Sequence, residues 1–385
     1  MTSDVIVIGL GAMGSAACYQ LAKRGATVIG IDRYSPPHSL GSTHGETRIT
    51  RLAIGEGAHF VPFAIRSHEI WRELEGETGA DLLTITGGLI MASASGLPLH
   101  GNANFLNTTI DAAAKFGLQH RVLNAGEIAA EFPQFVLTGD EVGYFEDSAG
   151  FLRPERCVAT QLSLAEKHGA DVHLNERVTR VEKDGAAVTV VTDVRNYSAA
   201  TAIISAGPWV GDFVEGTTAS LFKVYRQVLH WFDVSNAYDQ YKLKDSPIFI
   251  WSFGRFAGDF FYGFPAIDGR DGGLKVASEE YEITTRPENV ARRVAVDESA
   301  AIFRNYVSDK LTGVGERCVR SAVCLYTSTT DSNFVIDWVD DNVLLASPCS
   351  GHGFKHSAAI GETLAELALT GRSTINISAF SISKH

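Results

Sequence analysis

Gly9, Gly11 and Gly14, followed by an acid at Asp32, have the residue types and spacing that hold a dinucleotide. Gly9 allows a tight turn, Gly11 lets the backbone approach a pyrophosphate, and Gly14 lets a helix pack close to a sheet. The helix that starts there offers unpaired N–H groups to the phosphates. Asp32 stands about twenty residues beyond Gly9, where a carboxylate reaches a ribose hydroxyl and disfavours a 2′-phosphate. The motif leaves FAD and NAD open and makes NADP the least suitable of the three. A second glycine turn, Ser350-Gly-His-Gly-Phe-Lys355, feeds another helix and offers a second set of backbone N–H groups. Between them in sequence, Pro36 to Arg51 is an irregular loop rich in Gly, Ser and His that carries Arg48 and Arg51. Loops of this kind on an α/β scaffold tend to carry function.

These residues need elements to hold them. Val5 to Ile8 is a β-branched run that reads as a strand buried on both faces. Ser15 to Arg24 is helix-forming and ends at Gly25, and Thr27 to Ile31 is a second strand that delivers Asp32. Phe60 to Glu77 and Asn102 to Phe116 have helical periodicity, Leu82 to Met91 reads as a strand pair turning at Gly87-Gly88, and a short helix covers Glu127 to Phe132. After the strand Val142 to Glu146 and the helix Glu155 to His168 come strands at Asp171–Leu174, Val178–Glu182, Ala187–Thr192 and Ala202–Ser205. The last closes on Ala206-Gly207-Pro208-Trp209, which suggests a return to the central sheet. Val224 to Ala277 is aromatic and β-rich and suits an antiparallel sheet roofing an apolar pocket. Pro287 to Tyr306 reads as helix, then Cys318–Tyr326, Phe334–Trp338 and Val343–Ala346 as strands, and Ser357–Leu369 as a long helix ended by Gly371.

With 385 residues the chain has room for two domains or one large domain with insertions. Its hydrophobic fraction of 45% and charged fraction of 20% are those of an ordinary globular protein. The net charge of −12 argues against a general nucleic-acid binder and against an anionic membrane surface, while leaving room for a local cationic pocket. The five cysteines are odd in number and lack zinc-ligand spacing, which suits a reducing compartment. The apolar N-terminus lacks a basic leader and carries Asp4, so it reads as mature structure, and no apolar run is long enough for a membrane helix.

Further motifs occur in order along the chain: Gly41-Ser42-x-His44-Gly45-x-Thr47-Arg48-x-x-Arg51, Tyr262-Gly263-Phe264-Pro265, Gly273-Leu274-Lys275, Cys324-x-Tyr326-Thr327 and Ser350-Gly351-His352-Gly353-Phe354-Lys355. Together they resemble the monomeric sarcosine oxidase and N-methyltryptophan oxidase flavoenzymes, within the D-amino-acid-oxidase-like fold class, over essentially the whole chain. The resemblance implies FAD, attached by a thioether at Cys324, with Cys349 as the rival thiol. Without that context, a strand cysteine is better read as a small buried hydrophobe. It implies that Lys275 activates oxygen; alone, that lysine would be read as one whose stem lies along apolar surface. Arg51 and Lys355 would bind a substrate carboxylate, the first as a fork and the second as a point charge. Thr47 and Arg48 would lie against the flavin ring, and Tyr262, Tyr326 and Gly351 would line the substrate cavity. The cofactor set so implied is Gly9, Gly11, Ala12, Met13, Gly14, Asp32, Arg33, Ser42, His44, Thr47, Arg48, Val178, Gly207, Trp209, Cys324, Gly351, Gly353, Phe354 and Lys355.

One departure bears on the substrate. Relatives that oxidise sarcosine have a histidine four positions beyond the lysine that matches Lys275, and this chain has Glu279 there. A carboxylate changes the charge and hydrogen bonding of the pocket, joins the catalytic candidates, and could receive a cationic or polyhydroxylated tail. Thr43 also replaces a histidine common in the loop. The expected fold is α/β, with a discontinuous Rossmann-like FAD-binding domain (1–80, 145–220 and 320–385) and an antiparallel β-sheet substrate domain (81–144 and 221–319). The expected activity is oxidation of an N-methyl or N-alkyl amino acid, a small amine carrying a carboxylate, to an imine that hydrolyses, with O2 reduced to H2O2. Alternatives are a cyclic imino acid such as pipecolate or a fructosyl amino acid as substrate, or a dehydrogenase that uses another electron acceptor. A cytoplasmic monomer without metal, nucleic-acid or membrane partners completes the expectation.

Overall fold

The computed structural model describes residues 3–93, 104–254 and 258–385. The start of the helix expected from Asn102 lies outside them, as do residues 255–257 of the aromatic β-rich stretch; the described helix is Phe105–Phe116. The first strand (Ser3–Ile8), the helix Ala12–Lys23 and the strand Val28–Asp32 form the expected unit. Both strands are parallel, and Asp171–Leu174 and Asn196–Ile204 extend them on either side. All belong to an eight-stranded sheet whose Asn196–Ile204 strand forks. Its first half pairs antiparallel with Ala187–Thr192, and its second half pairs parallel with Val343–Ser347. The return to the central sheet before Gly207 is therefore real, and it puts Ser205 against Gly9.

The helix Ser357–Thr370 packs on the helix Ala12–Lys23, because a Cβ on Gly361 would overlap Ala16. This close approach carries the second glycine turn to the same end of the sheet as the first. The cluster beneath includes Val5, Val7, Tyr19, Trp71, Leu344 and Ile360, all buried. Burying such side chains contributes about 1.5–3 kcal/mol each relative to leaving them in water.

A nine-stranded sheet forms the second layer. Its spine is Lys223–Phe232, paired antiparallel with Cys318–Ser328 along its whole length, Gln227 opposite Cys324 and Tyr225 opposite Tyr326. The strands Leu274–Ala277, Phe260–Gly263 and Ile248–Ser252 follow antiparallel. One pair is parallel, Ile248–Ser252 with Gly88–Ser93. Phe135, Phe249, Trp251 and Phe261 fill the back of this sheet with edge-on ring contacts.

Two expectations need correction. Residues 83–93 are not a hairpin: Leu83–Ile85 pairs with Gly150–Leu152, and Gly88–Ser93 pairs with Glu141–Glu146. The glycine pair bends one ribbon from a three-stranded sheet, which also holds Arg48–Thr50, into the nine-stranded one. Pro287 to Ala295 is not helical, and the helix covers only Val296–Ile302, continued by a π-turn. Arg226 explains the difference, because its guanidinium takes the carbonyls of Ala291 and Arg293 together with the Glu298 carboxylate. Carbonyls captured by a side chain are held outside a helical ladder. The segment becomes a strap whose Arg292 reaches the Ser39 and Leu40 carbonyls. Among the described residues no helix is long and apolar enough to cross a membrane.

Candidate active site

A cleft of about 220 Å³ runs from Gly9 and Asp32 at one end to Arg51, Glu279 and Lys355 at the other. Its first end is made of backbone. Gly9 sits at φ +86°, and a Cβ there would lie 2.6 Å from Ser205 O. A Cβ on Gly14 would overlap Gly9 O, whereas one on Gly11 would meet nothing nearer than Thr43 Oγ1 at 3.7 Å. Gly11 is the open member of the three, and it caps the helix Ala12–Lys23 without a side-chain bond, so that the first-turn N–H groups remain available. Asp32 is buried; its Oδ2 accepts from Leu10 N at 2.7 Å and its Oδ1 from Tyr34 N at 2.8 Å. Arg33 stacks 4.8 Å over Trp209. Glu288 on the strap binds both, at 3.3 Å to Arg33 and 2.6 Å to Trp209 Nε1.

The middle of the cleft is built by the loop 42–48. Arg48 Nη2 donates to Ser42 O at 2.9 Å and contacts Cys324 Sγ at 3.3 Å, while the thiol reaches the same carbonyl at 3.3 Å. Glu155 fixes the loop from below, accepting from Gly45 N at 2.6 Å and Glu46 N at 3.1 Å. Lys275 enters from the nine-stranded sheet and donates to Gly45 O at 2.6 Å, Thr47 O at 2.8 Å and Thr47 Oγ1 at 3.0 Å. Burial, and then the charge of Arg48, push the Lys275 amine well below its ordinary value. His44 is driven down to about 3 by burial and by the same two cations, so its ring is neutral.

The far end is made of side chains. Arg51 is 2% exposed and Lys355 5% exposed, a degree of burial that charged groups reach only when paired. The partner is Glu56, with Oε2 2.7 Å from Arg51 and Oε1 3.2 Å from Lys355. Lys355 also donates to His352 O at 2.7 Å, and burial lowers its amine to about 8 against the opposing pull of Glu56. Tyr262 and Tyr326 meet through their hydroxyls at 3.4 Å, and Tyr281 donates to Glu279 at 2.8 Å. Burial raises both Tyr262 and Tyr326, so they act as neutral phenols.

Residues 4–367 match the model of a protein family described as FAD dependent oxidoreductase. The chain belongs to that family. It is 36% identical over 382 residues to a monomeric sarcosine oxidase of Streptomyces avermitilis, covering 98% of this chain and 97% of the relative. It is 33% identical over 390 residues to the N-methyl-L-tryptophan oxidase of Yersinia pestis, covering all of both chains. The solved structure of NikD, an unusual amino acid oxidase essential for nikkomycin biosynthesis, superposes with a TM-score of 0.83 at 22% identity, covering 99% of this chain and 97% of that one.

The residues of this FAD-dependent oxidoreductase fit its cofactor. The open Gly11 approach suits a pyrophosphate, and Ser42 Oγ, His44 Nε2 and Thr327 Oγ1 are buried polar atoms without a partner among the described residues. Of the residues singled out from the sequence, Gly9, Gly11, Ala12, Met13, Asp32, Arg33, Ser42, Thr47, Arg48, Val178, Gly207 and Trp209 line the cleft. So do Arg51, Tyr262, Glu279, Tyr326, Gly351, Gly353, Phe354 and Lys355. Gly14, His44, Lys275 and Cys324 are not on its wall; they stand behind it, the last two bonded to the loop that forms it. Cys349 does line it, with its sulfur accepting from Thr327 N at 3.4 Å and its thiol raised by burial. Glu56, Glu155, Tyr281 and Glu288 were not singled out. An acid flanked by glycines in the arginine loop, Gly55-Glu56-Gly57, was the available signal for the first; nothing in the sequence marks the others.

Proposed function

We propose that this oxidoreductase oxidises a secondary amine, an N-methyl or N-alkyl amino acid. The observation that carries this is the pairing of two buried cations, Arg51 and Lys355, around one carboxylate at the end of the flavin cleft. The substrate carboxylate takes the place that Glu56 holds, forked by Arg51 and met by Lys355 as a point charge. Tyr262 and Tyr326 wall the amine as neutral phenols and exclude water from it. The eight-stranded sheet serves the cofactor and the nine-stranded sheet serves the substrate. The glycine turns, Asp32 and the 42–48 loop would hold FAD, which would supply a two-electron oxidation of the amine to an imine with O2 as the acceptor and H2O2 as the product; water would hydrolyse the imine.

Arg48 sets a fixed positive charge against the ring. Lys275, with three oxygens around its amine, holds a proton where reduced oxygen acquires charge. Cys324 is the attachment point in this reading. The Arg48 guanidinium stands 3.3 Å from its sulfur, whereas burial pushes the Cys349 thiol up against the pull of two backbone N–H groups. The test is peroxide release across sarcosine, larger N-methyl amino acids, pipecolate, proline and fructosyl amino acids. Turnover of N-methyl amino acids is expected, and confinement to pipecolate or proline would refute it. Acid-precipitated protein should keep its yellow colour, with the flavin on the peptide that contains Cys324.

A further inference from the structure

The loop that carries Gly45 and Thr47 is bent around a carboxylate with no other task in the site. Gly45 at φ +95° and Glu46 at φ +69° are consecutive left-handed residues, and at Glu46 the Cβ crowds the following carbonyl oxygen. Such a bend points two successive N–H groups into one concavity, which suits an anion. Glu155 provides that anion. Its Oε1 accepts from Gly45 N at 2.6 Å and Glu46 N at 3.1 Å, and its Oε2 accepts from Glu46 N at 3.2 Å. The strands Arg48–Thr50 and Gly150–Leu152 pair antiparallel, which brings the first turn of the helix Pro154–Lys167, and Glu155 on it, to the loop. Held in this way, the same short segment presents Gly45 O, Thr47 O and Thr47 Oγ1 to the Lys275 amine.

Lys275 is 3% exposed, so its charge depends on what surrounds it. The rings of Trp231 and Phe264 lie 5.5 and 4.6 Å from its nitrogen, and the neighbouring His44 is neutral. Burial and then Arg48 disfavour the ammonium, while Cys324, Glu155 and Glu46 favour it. A Cys324 sulfur bound as a thioether carries no charge, and Glu46 is paired with Arg320. Glu155 is met by neutral N–H groups that orient its charge without cancelling it. We propose that Glu155 is the positioning residue of the oxygen step: it folds the 45–47 turn around the Lys275 amine and keeps that amine an ammonium. O2 takes two electrons from the reduced cofactor and two protons and leaves as H2O2, and the charge it acquires develops beside the ammonium. The inference rests on Lys275 acting on oxygen and needs no particular amine substrate.

The experiment uses holoenzyme photoreduced without substrate, mixed with O2 across pH and followed by flavin absorbance. Reoxidation should be fast while Lys275 is protonated and should slow as pH rises through its titration. Glu155→Gln removes a charge that favours the ammonium, so the midpoint should fall by about one pH unit, which above the midpoint is about tenfold slower reoxidation. Glu155→Asp draws the charge back by one methylene, moves the midpoint part of the way, and remains informative if the Gln variant fails to fold. Hydrogen exchange of the peptide spanning 43–48 needs no turnover, and it should quicken about fivefold in Glu155→Gln as charged hydrogen bonds become neutral ones. A pH profile that neither variant changes overturns the role of Glu155, as does uniform slowing at every pH with the midpoint unmoved, or unchanged exchange at 43–48. Lys275→Met reoxidised at the wild-type rate refutes instead the oxygen role of Lys275 on which the inference rests.

Discussion

The two ends of the cleft are built by opposite means. At the Gly9–Asp32 end, the surface is mainly backbone of the glycine turn, shaped by what the glycines lack and closed by the 205–209 turn. At the Arg51–Lys355 end it is charged side chains from three separated segments, held in place by ion pairs and by carbonyls they capture. Backbone geometry admits almost no variation, because a Cβ at Gly14 would overlap Gly9 O. Side-chain geometry admits a great deal, so one family can keep its cofactor end and change what it oxidises. Glu279 is an instance of that freedom.

The sharpest break of this contrast is Gly14→Ala. No flavin should remain with the purified protein, since the turn that receives the pyrophosphate cannot form around the added methyl; retained yellow colour would show the backbone end to be more forgiving than its geometry. Next in size, Lys275→Met should slow reoxidation of the reduced enzyme by O2 about 100-fold or more while anaerobic reduction changes little, the range expected for removal of a preorganised charge. Stopped-flow absorbance separates the two steps, and equal slowing of both would remove the oxygen role.

Much of this was legible early, and the reasons differ by region. The Gly9–Asp32 unit could be read whole because its strand, turn, helix and the Leu10–Asp32 bond lie within about thirty residues, even though Ser205 closes on Gly9 from far along the chain. The meeting of Lys355 with Arg51 was legible only through resemblance to known flavoenzymes. Its physical cause is the seating of Gly361 on Ala16, a contact between distant helices that leaves no local pattern. The strap at 287–295 was misread as helix because its periodicity is helical, while Arg226, some sixty residues earlier, takes its carbonyls. The bend at Gly87 was read as a turn because two glycines look alike whether a ribbon reverses or only changes sheet.

Smaller effects probe the side-chain end. Binding of a carboxylate inhibitor should be strongest below pH 8, where Lys355 is protonated. It should weaken as pH rises through about 8, the value to which burial lowers that amine. Titrating the inhibitor across pH checks this, and Lys355→Met should lose the inflection. Smallest, Glu56→Gln should tighten the same inhibitor about fivefold, because an internal carboxylate no longer competes for Arg51 and Lys355. Weaker binding would instead make Glu56 a support for the pair.

The most direct measurement of the whole account is a pair of half-reactions on the wild-type enzyme. Mixed anaerobically with an N-methyl amino acid, the flavin absorbance should bleach in a single turnover. It should return on admission of air, with one peroxide formed per flavin. A flavin that stays oxidised with every secondary amine, or one that bleaches and then fails to recover in air, would contradict the assignment of this cleft to an amine oxidase.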